Sequence, residues 1–527
     1  LPVIKDNADV PDSGRPIDLN RRPVVQVDLG CAPVGFACPH PDPQDTETML
    51  AGVRKRAAMA PPKSDMVLLE KFSVFVRTWL QKNLVPLSPS VDTSVDRWLA
   101  HTSYPLWRKE ELKRKFDNIT SFDDPRHYRV KGFMKDECYP EYKHARGINS
   151  RTDEFKCMVG PWFKLIEEEV YQLPQFIKHV PVPDRPKYIL DRLEYLGATY
   201  FETDYTAFEA QFTRSIMAAC EFQLYDYMTK NVPGGQEFMR LVRNVIGGVN
   251  HCDYRDFSYS VHATRMSGEM CTSLGNGFSN LMFMLFVCEL NGNTMVDGVV
   301  EGDDGLFRMI GTPPTEEMFS RLGLIIKPVP HNLISEASFC GIVFDPDDRV
   351  NITNPLEVIA TFGYTRSQYL KSSPSTKLAL LRCKSLSLAH QYPGCPILQS
   401  LAHYGLRITR SIDVRRFALR GGTSMWEREQ LIMALRDEKN IVRREVGWKS
   451  RLLVELKFGI PVALQYEWEK YLDGLDCLEQ LDFVDIDLFV PECWVDYFES
   501  YSVPVDVAAL DYDYPVLGLP RVVPRMW

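Results

Sequence analysis

The 527-residue chain has no CxxC pair, no internal repeat, no low-complexity tract and no apolar run long enough to cross a bilayer. Each absence removes a class of protein. Thirteen scattered cysteines without a pairing pattern argue against a disulfide framework and against a zinc ribbon, and they fit a reducing compartment. Cys31, Cys38 and His40 make one loose cluster, at a spacing that matches no zinc template. LMFMLFVCEL at 281–290 is about half the length of a membrane span and reads as a buried helix. No Gly-x-x-x-x-Gly-Lys-Ser/Thr loop occurs, which removes the helicase class. The chain starts at Leu1 with neither a methionine nor a signal-like stretch, so a processed product or a piece of a larger polyprotein is expected.

The net charge of −9 looks unsuited to nucleic acid, but its distribution reverses that impression. Between Tyr466 and Asp513 there are fourteen Asp or Glu and one Lys, so that segment carries −13 and the rest of the chain a net +4. Positive charge gathers at 108–151. WRKEELKRKF reads equally well as a solvated helix face, whereas RHYRVKGFMKDE and YKHARGINSR are broken by Gly, Pro and aromatic residues into loops that can aim side chains at a ligand.

A chain of this length needs two or three packed subdomains. Residues 1–65 are rich in Pro and Gly and are expected to run over a surface; MVLLEKFSVFVRTWLQKNL at 66–84 has helical apolar spacing and stops before Pro86. Residues 190–365 mix strand and helix signals, 366–490 are mostly helical, and the end of the chain is a Pro-punctuated tail.

VDGVVEGDDGLFRMI at 296–310 reads as strand, tight turn and returning strand, with Asp303 and Asp304 at the tip. Asp and Gly are ordinary turn residues. The pair gains meaning from FETDYTAFEAQFT, where Asp204 ends a strand and Glu209 follows at the head of the next helix. Asp204 beside Asp303 and Asp304 gives the all-oxygen donor set that Mg²⁺ or Mn²⁺ prefers, and two such ions about 3.5–4 Å apart suit in-line phosphoryl transfer. Between them, RMSGEMCTSLGNGFSNLMF at 265–283 places Ser267 in a loop before a helix whose Thr272 and Asn276 share a face. Small polar groups there can bond a ribose 2′-hydroxyl; Ser267 as a plain helix cap is the simpler reading.

In that order, Asp204 with Glu209, Ser267-Gly268 with Thr272 and Asn276, and Gly302-Asp303-Asp304 resemble palm motifs A, B and C of RNA-dependent RNA polymerases from positive-strand RNA viruses, most like the tombusvirus and nodavirus-like group. LGLIIK resembles motif D, whose lysine, Lys327, is implied to protonate the departing pyrophosphate. SFCGIVFDPDDRV at 338–350 is similar to the motif E hairpin, and TSYP at 102–105 to motif G. KDE and KHARGINSR resemble motif F, implying that Lys135, Lys143, Arg146 and Arg151 receive the triphosphate, Arg146 foremost, with Glu137 beside them. Relatives usually carry Asp where Glu209 stands; the resemblance implies a role for that carboxylate, with Asn276, in choosing ribose.

The resemblance implies an α+β right-hand fold: 1–90 as an N-terminal extension contributing to the fingers, 91–189 fingers, 190–222 palm, 223–261 a fingers insertion, 262–365 palm, 366–490 a helical thumb and 491–527 a tail. It implies catalysis by Asp204, Asp303, Asp304 and Lys327, two Mg²⁺ or Mn²⁺ ions, template and product RNA, and ribonucleoside triphosphates. It also implies other viral replication proteins and host membranes as partners, reached through segments outside this chain, in a replication complex of the host cytoplasm. A reverse transcriptase is the nearest rival, disfavoured by Gly302 and by the Ser-Gly, Thr, Asn helix. A non-catalytic RNA-binding or capsid protein would have no use for these carboxylates together with Lys327.

Overall fold

The computed structural model describes residues 2–12, 24, 26–415 and 425–501. The described strands are, in chain order, β1 (Ala8–Asp9), β2 (Val27–Asp28), β3 (Val130–Met134), β4 (Gly147–Arg151), β5 (Thr199–Tyr205), β6 (Val249–Asp253), β7 (Ser258–His262), β8 (Thr294–Glu301), β9 (Asp304–Ile310), β10 (Ile326–His331) and β11 (Tyr364–Thr365). They build a four-stranded antiparallel sheet ordered β10-β5-β9-β8, a five-stranded sheet ordered β1-β7-β6-β3-β4, and the pair β11-β2. Sheet and helix are mixed up to residue 365, and only helices follow among the described residues. This is the expected α+β composition.

The four-stranded sheet is covered on both faces. Phe201, Phe307 and Met309 point into the main core, where the helix Thr272–Leu290 packs. Tyr200, Leu306 and Val299 point the other way, into a smaller cluster with Ile189 and Phe339. Strand alternation puts successive side chains on opposite faces, so an acidic residue can reach solvent only where the cover stops. It stops where β5 ends and β9 begins, and there Asp204, Asp303 and Asp304 are exposed.

The helix expected at 66–84 spans Met66–Asn83, with the Asp65 side chain accepting from the Val67 and Leu68 amides. Its stripe Leu68, Phe72, Val76 and Leu80 is buried, and the Phe72 ring lies 5.4 Å from Phe283 and 5.2 Å from Phe286. Burying each such ring is worth about 1.5–3 kcal/mol. LMFMLFVCEL is buried inside Thr272–Leu290, and no described helix is long and apolar enough to cross a membrane.

Three expectations change. Residues 26–40 do not run over a surface: Val27, Leu29, Cys31 and Phe36 are buried, because β2 pairs with β11 and the following loop is clamped under the C-terminal helices. Glu209 lies in a 3₁₀ turn, Phe208–Gln211, and the α-helix starts only at Arg214 behind a Thr213 cap; Gln211 pins the turn by bonding the Thr206 and Ile325 carbonyls. The body continues past 491: helix Glu492–Tyr501 buries Trp494 and Tyr497, and Trp494 donates to the Pro140 carbonyl. The rest of the expected tail, 502–527, lies outside the described residues.

Candidate active site

Strands β8 and β9 are joined by two residues, with Glu301 paired to Asp304 and Gly302-Asp303 between them. Gly302 takes φ 62°, a region where a side chain is strained, and its position first in the turn matches the hairpin geometry that follows strand twist. On the other side of β9, β5 continues the register: Glu202 faces Leu306, and Asp204 therefore lies level with Asp304. Across β10, Lys327 is the direct partner of Asp204. One transverse row thus reads Lys327, Asp204, Asp304, Glu301, with Asp303 beside it in the turn. Glu301 is neutralised by Arg185 at 2.7 Å.

The carboxylates feel one another. Surrounding protein and then the Asp303 charge push the Asp304 carboxyl up to about 7, with Glu301 and Asp204 adding to the shift. Burial, followed by the Glu209 charge, raises Asp303 as well. Both retain a solvent-open face, which moderates these shifts. No group of three His, Cys, Asp or Glu side chains among the described residues is gathered into a ready-made metal site. The donor set nonetheless fits a hard divalent cation: the groups are all oxygen, adjacent and mutually repelling, and a cation would relieve that repulsion.

The turn is held from behind by a residue that sequence reading missed. Asn280, fully buried, donates its Nδ2 to the Asp303 carbonyl at 2.9 Å and to Thr203 Oγ1 at 3.2 Å. The signal was present, since Asn280 continues the Thr272, Asn276 stripe by another four residues. Asn276 is itself buried, and its Oδ1 accepts from Arg265 Nε at 3.1 Å. Arg265 is enclosed with Glu221 at 2.5 Å and lies over the Phe212 ring. Gly275 is what allows that pair to sit against the helix, since a Cβ there would come within 2.6 Å of both Arg265 and Glu221. Thr272 Oγ1 donates to the Met266 carbonyl. Ser267 is not a helix cap: its hydroxyl donates to the Gly147 carbonyl and accepts from the Asn149 amide, both at 3.1 Å, tying the loop to β4.

Of the basic residues expected there, Arg146 and Lys135 lie within electrostatic reach of the site's carboxylates. Arg146 is held by Glu137 through two bonds, 2.6 and 3.0 Å, and its charge is felt at Asp303. Burial and then the Arg146 charge lower Lys135. Lys143 lies over the Tyr139 ring at 4.7 Å. Arg151 is not available to a triphosphate: it is 2 % exposed, bonded to Glu269, to the Tyr128 carbonyl and to Asn250. β4 alternation turns it inward, where an unpaired guanidinium would be costly. A second cation that sequence reading missed is Arg56, at the end of helix Thr46–Arg56, 3.4 Å from Glu209. Nothing in the sequence links positions so far apart. Arg56, Glu209, Ser267 and Asn149 enclose a cavity of about 20 Å³, room for one water. The helix Leu106–Asp117 spends Arg108 and Lys115 on Asp153, which supports the plain helix-face reading of WRKEELKRKF.

Residues 184–395 match the family described as viral RNA-dependent RNA polymerase. The RNA-directed RNA polymerase of greasy grouper nervous necrosis virus is 26% identical over 219 residues, and that of striped jack nervous necrosis virus 27% over 230 residues. The protein of the same name from Atlantic halibut nervous necrosis virus is 26% identical over 219 residues. Each match covers 38% of this chain and 22% of the relative, so the chain spans about a fifth of those proteins' length. Residues 184–395, which hold the four-stranded sheet and its carboxylates, are thus similar to the viral RNA-dependent RNA polymerases.

Proposed function

We propose that this chain is the catalytic core of an RNA-directed RNA polymerase that replicates a positive-strand viral genome. The observation that carries the reading is the transverse row Lys327, Asp204, Asp304, Glu301 with Asp303 beside it in the turn, at a margin of the sheet where all three aspartates are exposed. The four-stranded sheet corresponds to the palm, the five-stranded sheet to the fingers, and the helices from Pro374 to Gly474 to the thumb of a right hand.

Asp204, Asp303 and Asp304 would hold two Mg²⁺ or Mn²⁺ ions, which when bound acidify the attacking hydroxyl and neutralise pyrophosphate. Arg146, Lys135 and Lys143 offset the triphosphate charge as nucleotide arrives, Glu137 holding the Arg146 fork in place. The 3′-oxygen of the RNA attacks the α-phosphorus, the bond to the pyrophosphate oxygen breaks, and Lys327 Nζ delivers a proton to that oxygen. Glu209, Ser267, Thr272 and Asn276 surround the sugar. The cavity between Glu209, Ser267 and Arg56 has room for a water and not for a ribose, so nucleotide binding displaces Ser267 or Arg56. Asn276 acts through its bond to Arg265, and Glu209 through Arg56.

Primer extension with ribonucleotides, deoxyribonucleotides and either template type tests this. RNA synthesis on an RNA template, lost in Asp303→Asn, is expected. Preferential incorporation of deoxyribonucleotides would point to a reverse transcriptase, and no incorporation under any condition would leave only RNA binding.

A further inference from the structure

Away from the polymerase site, a cavity of about 450 Å³ opens between segment 136–138, His40 and the helices Pro355–Phe362 and Pro374–Gln391. Three side chains on its wall form a relay. Cys138 Sγ lies 3.5 Å from His40 Nδ1, and His40 Nε2 lies 2.6 Å from Asp136 Oδ1. The Tyr139 amide donates to the Pro39 carbonyl at 2.9 Å, locking the two stretches of chain together. His40 is 4 % exposed and held at both nitrogens, while Cys138 and Asp136 are half-buried. A thiol, an imidazole on it and a carboxylate behind the imidazole are the parts that activate a nucleophile.

We propose that Cys138 is an activated thiol and a reversible modification site, exchanging with low-molecular-mass disulfides that enter this cavity. His40 Nδ1 takes the Cys138 proton, giving an imidazolium beside the thiolate, and Sγ then attacks one sulfur of the disulfide. The Cys138 Sγ–S bond forms, the disulfide's S–S bond breaks with its electron pair leaving on the second sulfur, and His40 returns the proton to that thiolate. One thiol and one disulfide are consumed, and one of each is produced. Asp136 stabilises the imidazolium between the two transfers. Burial opposes a charge on His40, but the Cys138 sulfur and Asp136 outweigh it and push the imidazole up to about 9, a strongly basic ring. A metal centre is the competing use of such residues, and among the described residues no third ligand joins the pair.

Simple access makes the opposite prediction. Of the thirteen cysteines Cys477 alone is exposed, and its Sγ lies 3.3 Å from Glu479, which raises its pKa. The consequence of modification rests on the polymerase reading: Cys138 follows Glu137, the residue that holds Arg146, so an adduct would loosen the triphosphate contact.

The test is a time course of the full chain with limiting 5,5′-dithiobis(2-nitrobenzoate) or glutathione disulfide, read by peptide mass mapping. Cys138 should react first, at least about tenfold faster than Cys477. His40→Gln should bring Cys138 down to the Cys477 rate with Cys477 itself unchanged. Cys477 reacting first, or a Cys138 rate indifferent to His40→Gln, overturns the proposal. If His40→Gln exposes the buried cysteines generally, Asp136→Asn, equal in volume, is read by the same rates, and a wild-type Cys138 rate in it is equally fatal. None of these rates depends on polymerase activity. Separately, the adduct should raise the KM for nucleotides and a thiol reductant should restore it; an unchanged KM removes the link to Arg146 and leaves the site standing.

Discussion

Lys327 and Asp204 are direct register partners across β10 and β5, on the same face of the sheet, yet no ion pair joins them. A lysine tied to the carboxylate proposed to bind metal could not serve the leaving group, so the two roles should separate. Asp204→Asn is expected to remove nucleotide incorporation by several orders of magnitude, and Lys327→Leu to cost about 10²–10⁴-fold in the single-turnover rate. Both side chains are exposed, so melting temperatures should barely move. A single-turnover rate unchanged in Lys327→Leu excludes it as the acid.

Cation affinity should depend on pH through Asp304. Its carboxyl is raised from the usual carboxylate range to about 7, so between about pH 4 and 7 it stays protonated in the folded chain while an unfolded chain ionises. That contribution to stability is present in acid and is lost as pH rises through about 7. Cation binding must expel the proton, so Mn²⁺ affinity followed by thermal shift should weaken from pH 8 to pH 6, and Asp304→Asn should flatten the dependence. A pH-independent affinity in the unmodified chain would contradict the assignment.

Arg146 and Arg151 lie five residues apart in one basic motif but should fail differently. Arg146→Ala is expected to raise the KM for nucleotides with little change in melting temperature. Arg151→Ala leaves Glu269 buried without its partner and should cost about 3–5 kcal/mol in denaturant titration. Equal effects on stability would show that the two share one role.

Asn280→Ala should cost about 1–3 kcal/mol, because the Asp303 carbonyl and Thr203 lose a buried donor. The activity of the fraction that remains folded should fall as well, since the turn carrying Asp303 is no longer fixed. Full activity per folded molecule would reduce Asn280 to a stabilising role.

Local chemistry was legible in the chain. The Gly302 turn, the strand ending in Asp204, the helix at 66–84 and the buried LMFMLFVCEL each follow from residue type and periodicity over a few turns, and the structure has them in place. Errors arose where a neighbour distant in sequence prevailed. Glu209 reads as the head of a helix, but Gln211, bonded to the Ile325 carbonyl, holds it in a 3₁₀ turn and the α-helix starts only at Arg214. Arg151 looks like a ligand-facing cation until β4 alternation turns it onto Glu269.

By itself the sequence determined which carboxylates, lysines and small polar residues are available and the strands and helices that bear them, because those depend on neighbours within a few residues. Tertiary structure alone decided that Lys327, Asp204, Asp304 and Glu301 share one row, that Arg56 reaches Glu209, and that His40 meets Cys138. Those meetings depend on sheet register and on packing between segments about one hundred or more residues apart, and no local pattern encodes the distance between two side chains that far along a chain.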